Sequence, residues 1–271
     1  MRVIALFFFF IPLLASGQVE LYQMDSLPDI VPENLDIYLV IGQSNMAGRA
    51  TIREQDKTPL RNAYLFTGDN IHPWVVATNP INRYSTVRKN MAMQRLGPAY
   101  SFTKAIVDAK PERQVGLVAN AKGGTKIVQW MPGSELYQEA IKQTHNALKY
   151  GSLKGVIWHQ GEGDCHPVRI DLYLGRLEIL INAIREEFDD PYIPFVVGQL
   201  FGNERRDPFN EMILELPDFI EYTGVATSEE TQVFDGTHFD SESVLILGER
   251  YAAEMLRLMN EKESFLLKKR N

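Results

Sequence analysis

Apolar positions along the chain follow two different spacings. Asp36-Ile37-Tyr38-Leu39-Val40-Ile41 is a near-continuous apolar run closed by Gly42, the pattern of a strand buried on both faces. Similar runs recur at Val115–Ala119, Val156–Trp158 and Phe195–Val197, with a weaker one at Val225-Ala226. Between and after them the spacing changes to three and four. Gly97-Pro98 opens a helix with Phe102, Ile106 and Ala109 on one face, and Pro111 stops it. Ser134 is placed to cap a second, with Leu136, Ala140, Thr144 and Ala147 in register. A third helix is predicted from about Ile170 to Phe188, on Ile170, Leu174, Leu177, Ile181 and Ile184. A fourth follows Ser241, on Val244, Tyr251, Met255 and Met259. Strands alternating with such helices predict an α/β fold with a mostly parallel sheet.

Three stretches stand outside this alternation. Val3 to Ala15 is apolar, preceded by Arg2 and followed by the small residues Ala15-Ser16-Gly17. That order reads as an export signal over residues 1–17, cut before Gln18, with no stable membrane insertion afterwards and a periplasmic or secreted product. Residues 18–35 carry Pro28, Pro32 and several acids, and read as a polar lead-in. Residues 50–96 have few helix signals and form a long excursion, a kind of loop that often shapes a site. The remaining 36–265 is expected to be one domain.

Composition adds exclusions. The 271 residues are 45% hydrophobic and 23% charged, an ordinary globular mixture that excludes a disordered or coiled-coil chain. A net charge of −7 gives no basic footprint for nucleic acid. The single cysteine rules out a disulfide framework or a cysteine-rich zinc site, and no His-rich motif suggests another metal. No cofactor is called for. Oligomeric state is left open.

In parallel sheets ligands bind at the carboxyl ends of the strands. Four polar, glycine-bearing clusters fall there: Gly42-Gln43-Ser44-Asn45, Asn120-Ala121-Lys122-Gly123-Gly124-Thr125, His159-Gln160-Gly161-Glu162, and Asp235-Gly236-Thr237-His238 before the last helix. A serine is a nucleophile only when a base takes its proton. Asp235 and His238, three apart, have the spacing for a carboxylate to orient an imidazole. Oxyanion donors are offered by the Ser44 N–H, by Gly123 or Gly124, and by the Gln160 amide. Standing alone, each cluster reads as a turn, a cap or a solvated loop; their joint position at strand ends is the argument. His159 reads as a structural histidine, and His166 is a rival base. Trp74, Trp130 and Tyr137 are candidates for sugar stacking, with core packing the simpler reading. The G-x-S-x-G elbow and the phosphate loop are both absent.

Taken together, these stretches resemble the SGNH (GDSL-like) hydrolases, and within them the branch of sialate O-acetylesterases and acetylxylan esterases of carbohydrate esterase family six. The matching segments are Ile41–Arg49, Gly123-Gly124-Thr125 with Trp130, His159–Glu162, Asp235–His238 and Leu247–Tyr251. The resemblance implies a three-layer α/β/α sandwich with a flavodoxin-like sheet. It implies a serine esterase that removes O-acetyl groups from carbohydrate. Ser44 would be the nucleophile and His238 the base, oriented by Asp235 or by Glu162. Gln160 and Gly124, or Gly123, would bind the oxyanion, with Gln43 and Asn45 beside them. Gly97-Pro98-Ala99 departs from the branch's Gly-Pro-Glu, which touches pocket detail only. A non-catalytic carbohydrate-binding protein and a lipase or thioesterase of the same superfamily are the alternatives.

Overall fold

The computed structural model describes residues 25–270, so the export segment and its cleavage point lie outside the described residues. Among these, seven strands form one sheet: β1 (Leu35–Gly42), β2 (Ala63–Phe66), β3 (Trp74–Val76), β4 (Val115–Ala119), β5 (Gly151–His159), β6 (Phe195–Gly198) and β7 (Thr223–Ala226). Their order is β3-β2-β4-β1-β5-β6-β7, parallel throughout except for the antiparallel β2–β3 edge. The helices are α1 (Ser44–Ala47), α2 (Ala99–Ala109), α3 (Glu135–Ala147), α4 (Pro167–Ile170), α5 (Tyr173–Glu187), α6 (Asp207–Leu214), α7 (Leu216–Phe219) and α8 (Ser241–Arg270).

The layering follows from side-chain alternation in β1, which is buried along its whole length. Ile37, Leu39 and Ile41 point into a core shared with Leu136 and Ala140 of α3, Leu177 and Ile181 of α5, and Phe209 of α6. Tyr38 and Val40 point the other way, to Phe102 and Ile106 of α2 and Leu247, Tyr251 and Met255 of α8. Both faces of the sheet are therefore covered, and each fully buried Ile or Leu contributes about 1.5–3 kcal/mol. The arrangement is the expected three-layer α/β/α sandwich.

Three local readings change. The excursion contains β2 and β3, four and three residues long, too short to register as periodic runs. The helix read from Ile170 to Phe188 is α5, which begins three residues later at Tyr173, whose hydroxyl enters the core beneath the site; the short α4 precedes it. The lead-in is more than a polar approach. Asp25 lies buried against the Arg83 guanidinium, at 1% and 0% side-chain exposure, and it also bonds the Tyr84 hydroxyl. Ser26 accepts the Val76 N–H at 2.8 Å. Removing one partner of a buried ion pair leaves the other uncompensated, at a cost of about 3–5 kcal/mol. Asp25→Ala is expected to destabilise the protein on that scale, read from urea denaturation; a change below about 1 kcal/mol, the surface-pair range, would show that the pair contributes little.

β1 lies between β4 and β5. The loops leaving these three strands therefore emerge side by side at one edge of the sheet.

Candidate active site

The β1 loop turns abruptly. Gly42 has φ +136°, and a Cβ there would lie 2.2 Å from the His159 carbonyl oxygen. Only glycine allows β1 and β5 to approach so closely at this turn. The next N–H, of Gln43, donates to that same carbonyl at 2.8 Å. Ser44 then starts α1 with its side chain at the rim, 7% exposed.

The last loop brings His238 to it from 194 residues away, with Nε2 2.9 Å from Ser44 Oγ. His238 Nδ1 lies 2.6 Å from Asp235 Oδ2. The other oxygen of Asp235 accepts the backbone N–H of Thr237 at 3.0 Å and of His238 at 2.8 Å. Desolvation works to raise the Asp235 pKa, but the His238 ring and the two backbone N–H groups outweigh it and hold the carboxyl below its usual range. The serine, imidazole and carboxylate thus form one hydrogen-bonded line, the geometry needed to activate a hydroxyl.

Glu162 does not reach the imidazole in hydrogen-bond terms. Its Oε1 accepts from Asn45 Nδ2 at 2.7 Å, and its Oε2 is buried without a hydrogen-bond partner among the described residues. Desolvation raises its pKa, opposed by its own backbone N–H, Asn45, and the charges of Arg206 and His238. Asn45, read from sequence as lining the substrate, is instead an internal strut. It donates to Thr237 O at 3.2 Å and accepts from Phe239 N at 3.2 Å, gripping the chain on both sides of His238. Arg206 braces the same loop, donating to Gly236 O at 3.1 Å and Thr237 Oγ1 at 2.8 Å. No spacing in the sequence marks Arg206 for this.

Gln160 also departs from its expected place. It is fully buried, and its Nε2 donates to Asp164 Oδ2 at 2.7 Å, Thr125 O at 3.0 Å and Gln43 Oε1 at 3.3 Å. Its Oε1 accepts the Tyr173 hydroxyl at 3.0 Å. With its amide hydrogens engaged, Gln160 has none to offer an oxyanion; it fixes the carbonyl end of Gln43 instead. The amide nitrogen of Gln43 has no acceptor among the described residues. Of the two glycines, Gly123 is the one against Ser44: a Cβ there would lie 3.3 Å from Ser44 Cβ, whereas Gly124 is exposed at φ +73°.

The remaining candidates separate cleanly. His159 is fully buried, with Nδ1 3.1 Å from the Tyr251 hydroxyl, and burial, with a smaller push from Arg206, lowers its pKa to about 3. It is a neutral structural histidine. His166 is exposed on a separate turn before α4. Trp74, Trp130 and Tyr137 are buried in the core. An aromatic that sequence reasoning passed over stands at the mouth: Phe234, 57% exposed, stacks on the His238 ring at 6.0 Å between centroids. Among the described residues no group of three or more His, Cys, Asp or Glu is placed to hold a metal ion.

Comparison with known proteins bears on the fold and the family. The chain is 31% identical over 184 residues to a probable carbohydrate esterase of Arabidopsis thaliana, covering 61% of this chain and 68% of that one. An X-ray structure of a protein from Arabidopsis thaliana superposes with a TM-score of 0.74 at 24% identity, covering 83% of this chain and 99% of the other. The crystal structure of NanS gives 0.67 at 15% identity over 86% and 99%. A carbohydrate acetylesterase from Xanthomonas citri gives 0.64 at 22% identity over 83% and 57%. At these identities the structural likeness carries the fold alone, that of the SGNH/GDSL-like carbohydrate esterases. Residues 34–257 match the family model for carbohydrate esterases described as sialic acid-specific acetylesterases. With the match spanning most of its length, this chain belongs to that carbohydrate esterase family.

Proposed function

We propose that this protein removes O-acetyl groups from carbohydrate with Ser44 as nucleophile, His238 as general base and Asp235 as its orienter. The observation that carries the reading is the pair of contacts on one imidazole, 2.9 Å to Ser44 Oγ and 2.6 Å to Asp235 Oδ2. Ser44 Oγ attacks the acetyl carbonyl carbon while His238 Nε2 takes its proton, and the carbonyl electron pair moves onto oxygen. Collapse expels the sugar alkoxide, which takes the proton back from His238. Water then attacks acetyl-Ser44, again losing a proton to His238, and acetate leaves as Ser44 recovers its hydrogen. Export by the amino-terminal apolar run belongs to the same proposal and matches an extracellular glycan substrate.

The developing oxyanion needs fixed donors. The Ser44 N–H at the start of α1 is one, since the first N–H groups of a helix have no intrahelical acceptor. The Gly123–Gly124 loop supplies a second, and the Gln43 amide, held by Gln160, a third. Gln43→Ala is expected to lower kcat about 10²–10³-fold, the scale of one oxyanion donor; a loss under about threefold in initial-rate assays would remove Gln43 from this role.

The overall reading is tested with a fluorophosphonate probe and an acyl series. The probe should modify Ser44 alone, located by peptide mass spectrometry. Acetate should leave 4-nitrophenyl and glycan esters faster than octanoate. Labelling absent at Ser44 would return the protein to the non-catalytic alternative, and a preference for octanoate would make it a lipase.

A further inference from the structure

Among the described residues, the Phe, Tyr and Trp side chains that are exposed are those of Phe219 and Phe234. Phe219 ends α7 ahead of β7, so it lies toward the amino edge of the sheet, away from the site. Phe234 lies on the loop that carries Asp235 and His238, and that loop turns two phenylalanines in opposite directions. Phe239 is buried and packs edge-on against His159 at 5.7 Å and Phe201 at 6.5 Å between centroids. Phe234 leaves the core and stacks on the His238 ring, at 25° between planes and 6.0 Å between centroids. With one side against the imidazole, more than half of the residue still meets solvent.

A single exposed apolar side chain is ordinary on a protein surface. What sets Phe234 apart is where it stands and how firmly it is held. Its N–H donates to His238 O at 3.0 Å, and Val233 and Phe239 pair as an antiparallel bridge on either side of the loop. Asp235 closes the turn between them, and Arg206 braces it from Gly236 and Thr237. A ring fixed in this way loses little further freedom when a ligand covers it. The chemistry then brings a sugar to it. When the tetrahedral intermediate collapses, the leaving oxygen takes its proton from His238 Nε2, at a hydrogen-bond distance of about 3 Å. A pyranose carried by that oxygen stands beside the imidazole, in reach of an aromatic ring 6.0 Å from it. One face of a pyranose is made of C–H groups, while its hydroxyls point outward around the rim. A flat aromatic takes the C–H face out of water and leaves the hydroxyls wet. Trp74, Trp130 and Tyr137, the stacking candidates read from sequence, are buried and cannot do this.

We propose that Phe234 is the platform for the leaving sugar, packing against the C–H face of the pyranose whose acetyl group is held at Ser44. The inference rests on the esterase reading and adds to it a residue that selects ring-shaped alcohols over small acyclic ones. Phe234 moves no proton and contributes through binding alone.

The experiment compares a sugar ester with an ester whose alcohol has no face to stack. The first is whichever of mono-O-acetylated methyl xylopyranoside and O-acetylated neuraminic acid the wild type cleaves faster; the second is ethyl acetate. In Phe234→Ala, KM for the sugar ester is expected to rise about tenfold with kcat within about twofold, while kcat/KM for ethyl acetate falls by less than about threefold. Phe234→Trp should restore the KM. Phe234→Leu, apolar but without a flat face, should not. Equal losses on both esters, or a fall in kcat with a displaced pH profile, would make Phe234 a support for the imidazole and overturn the platform. So would a sugar-ester KM in Phe234→Leu equal to that of the wild type, since apolar bulk would then suffice. A readout without turnover separates this inference from the esterase reading. By titration calorimetry on Ser44→Ala, the intact sugar ester should bind about tenfold more weakly once Phe234→Ala is added, and equal affinities would end the proposal even where the wild type releases acetate.

Discussion

Ser44→Ala is expected to reduce acetyl-ester hydrolysis about 10⁶-fold, the scale seen when a triad serine is removed, while leaving the fold intact. The substitution deletes one oxygen from a residue at the sheet rim. The backbone of Ser44 still accepts the Gly48 N–H at 3.0 Å, and the Asn45 strut is untouched. Nothing else in the line of contacts can take over. His238 Nε2 has Ser44 Oγ as its hydrogen-bond partner among the described residues. Cys165, the only thiol in the chain, is buried, and desolvation raises its pKa to about 12, so it carries no thiolate at neutral pH. The check is initial-rate acetate release, alongside circular dichroism and a thermal melt. A residual rate above about 1% of wild type, from protein with an unchanged melt, would mean that Ser44 is not the nucleophile.

Much of this site was legible because its members sit where strands end. β1, β4 and β6 are buried on both faces, so their apolar runs are continuous and their ends well marked. The polar residues just beyond them stand out for the same reason. β2 and β3 left no such mark: these short strands draw their stability from pairing, β2 with β4 and β3 with β2, which composition does not display. The amides were the least legible part. Gln43, Asn45 and Gln160 have similar chemistry and neighbouring positions in the site. Which of them faces a substrate is decided by Thr125, Asp164, Tyr173 and Thr237, each from a different segment of the chain. A residue's direction in such a network is a property of its partners, and the linear spacing holds no record of them.

Asp235→Asn is expected to cost up to about 10⁴ in kcat, the loss that accompanies the wrong histidine tautomer in a serine triad, and Glu162→Gln under about tenfold. The asymmetry follows from which atoms are already committed. Asp235 Oδ1 accepts two backbone N–H groups, at 3.0 and 2.8 Å, and in the asparagine variant the amide oxygen must keep that place. The NH₂ group is then left facing His238 Nδ1, where the carboxylate stood at 2.6 Å. It can only donate, so Nδ1 must become the acceptor and the ring proton moves to Nε2. An imidazole protonated at Nε2 cannot accept the Ser44 proton. The fold should be unchanged, because the turn retains both backbone contacts. Partial exposure of Asp235, at 42% for its side chain, lets water screen its charge but does not restore the tautomer. Glu162→Gln, by contrast, keeps an oxygen for Asn45 and touches neither ring nitrogen. Parallel kcat measurements on one acetyl ester decide between them. Comparable losses in the two variants, or the larger loss in Glu162→Gln, would transfer the orienting role to Glu162 and require the loop carrying His238 to rearrange during turnover.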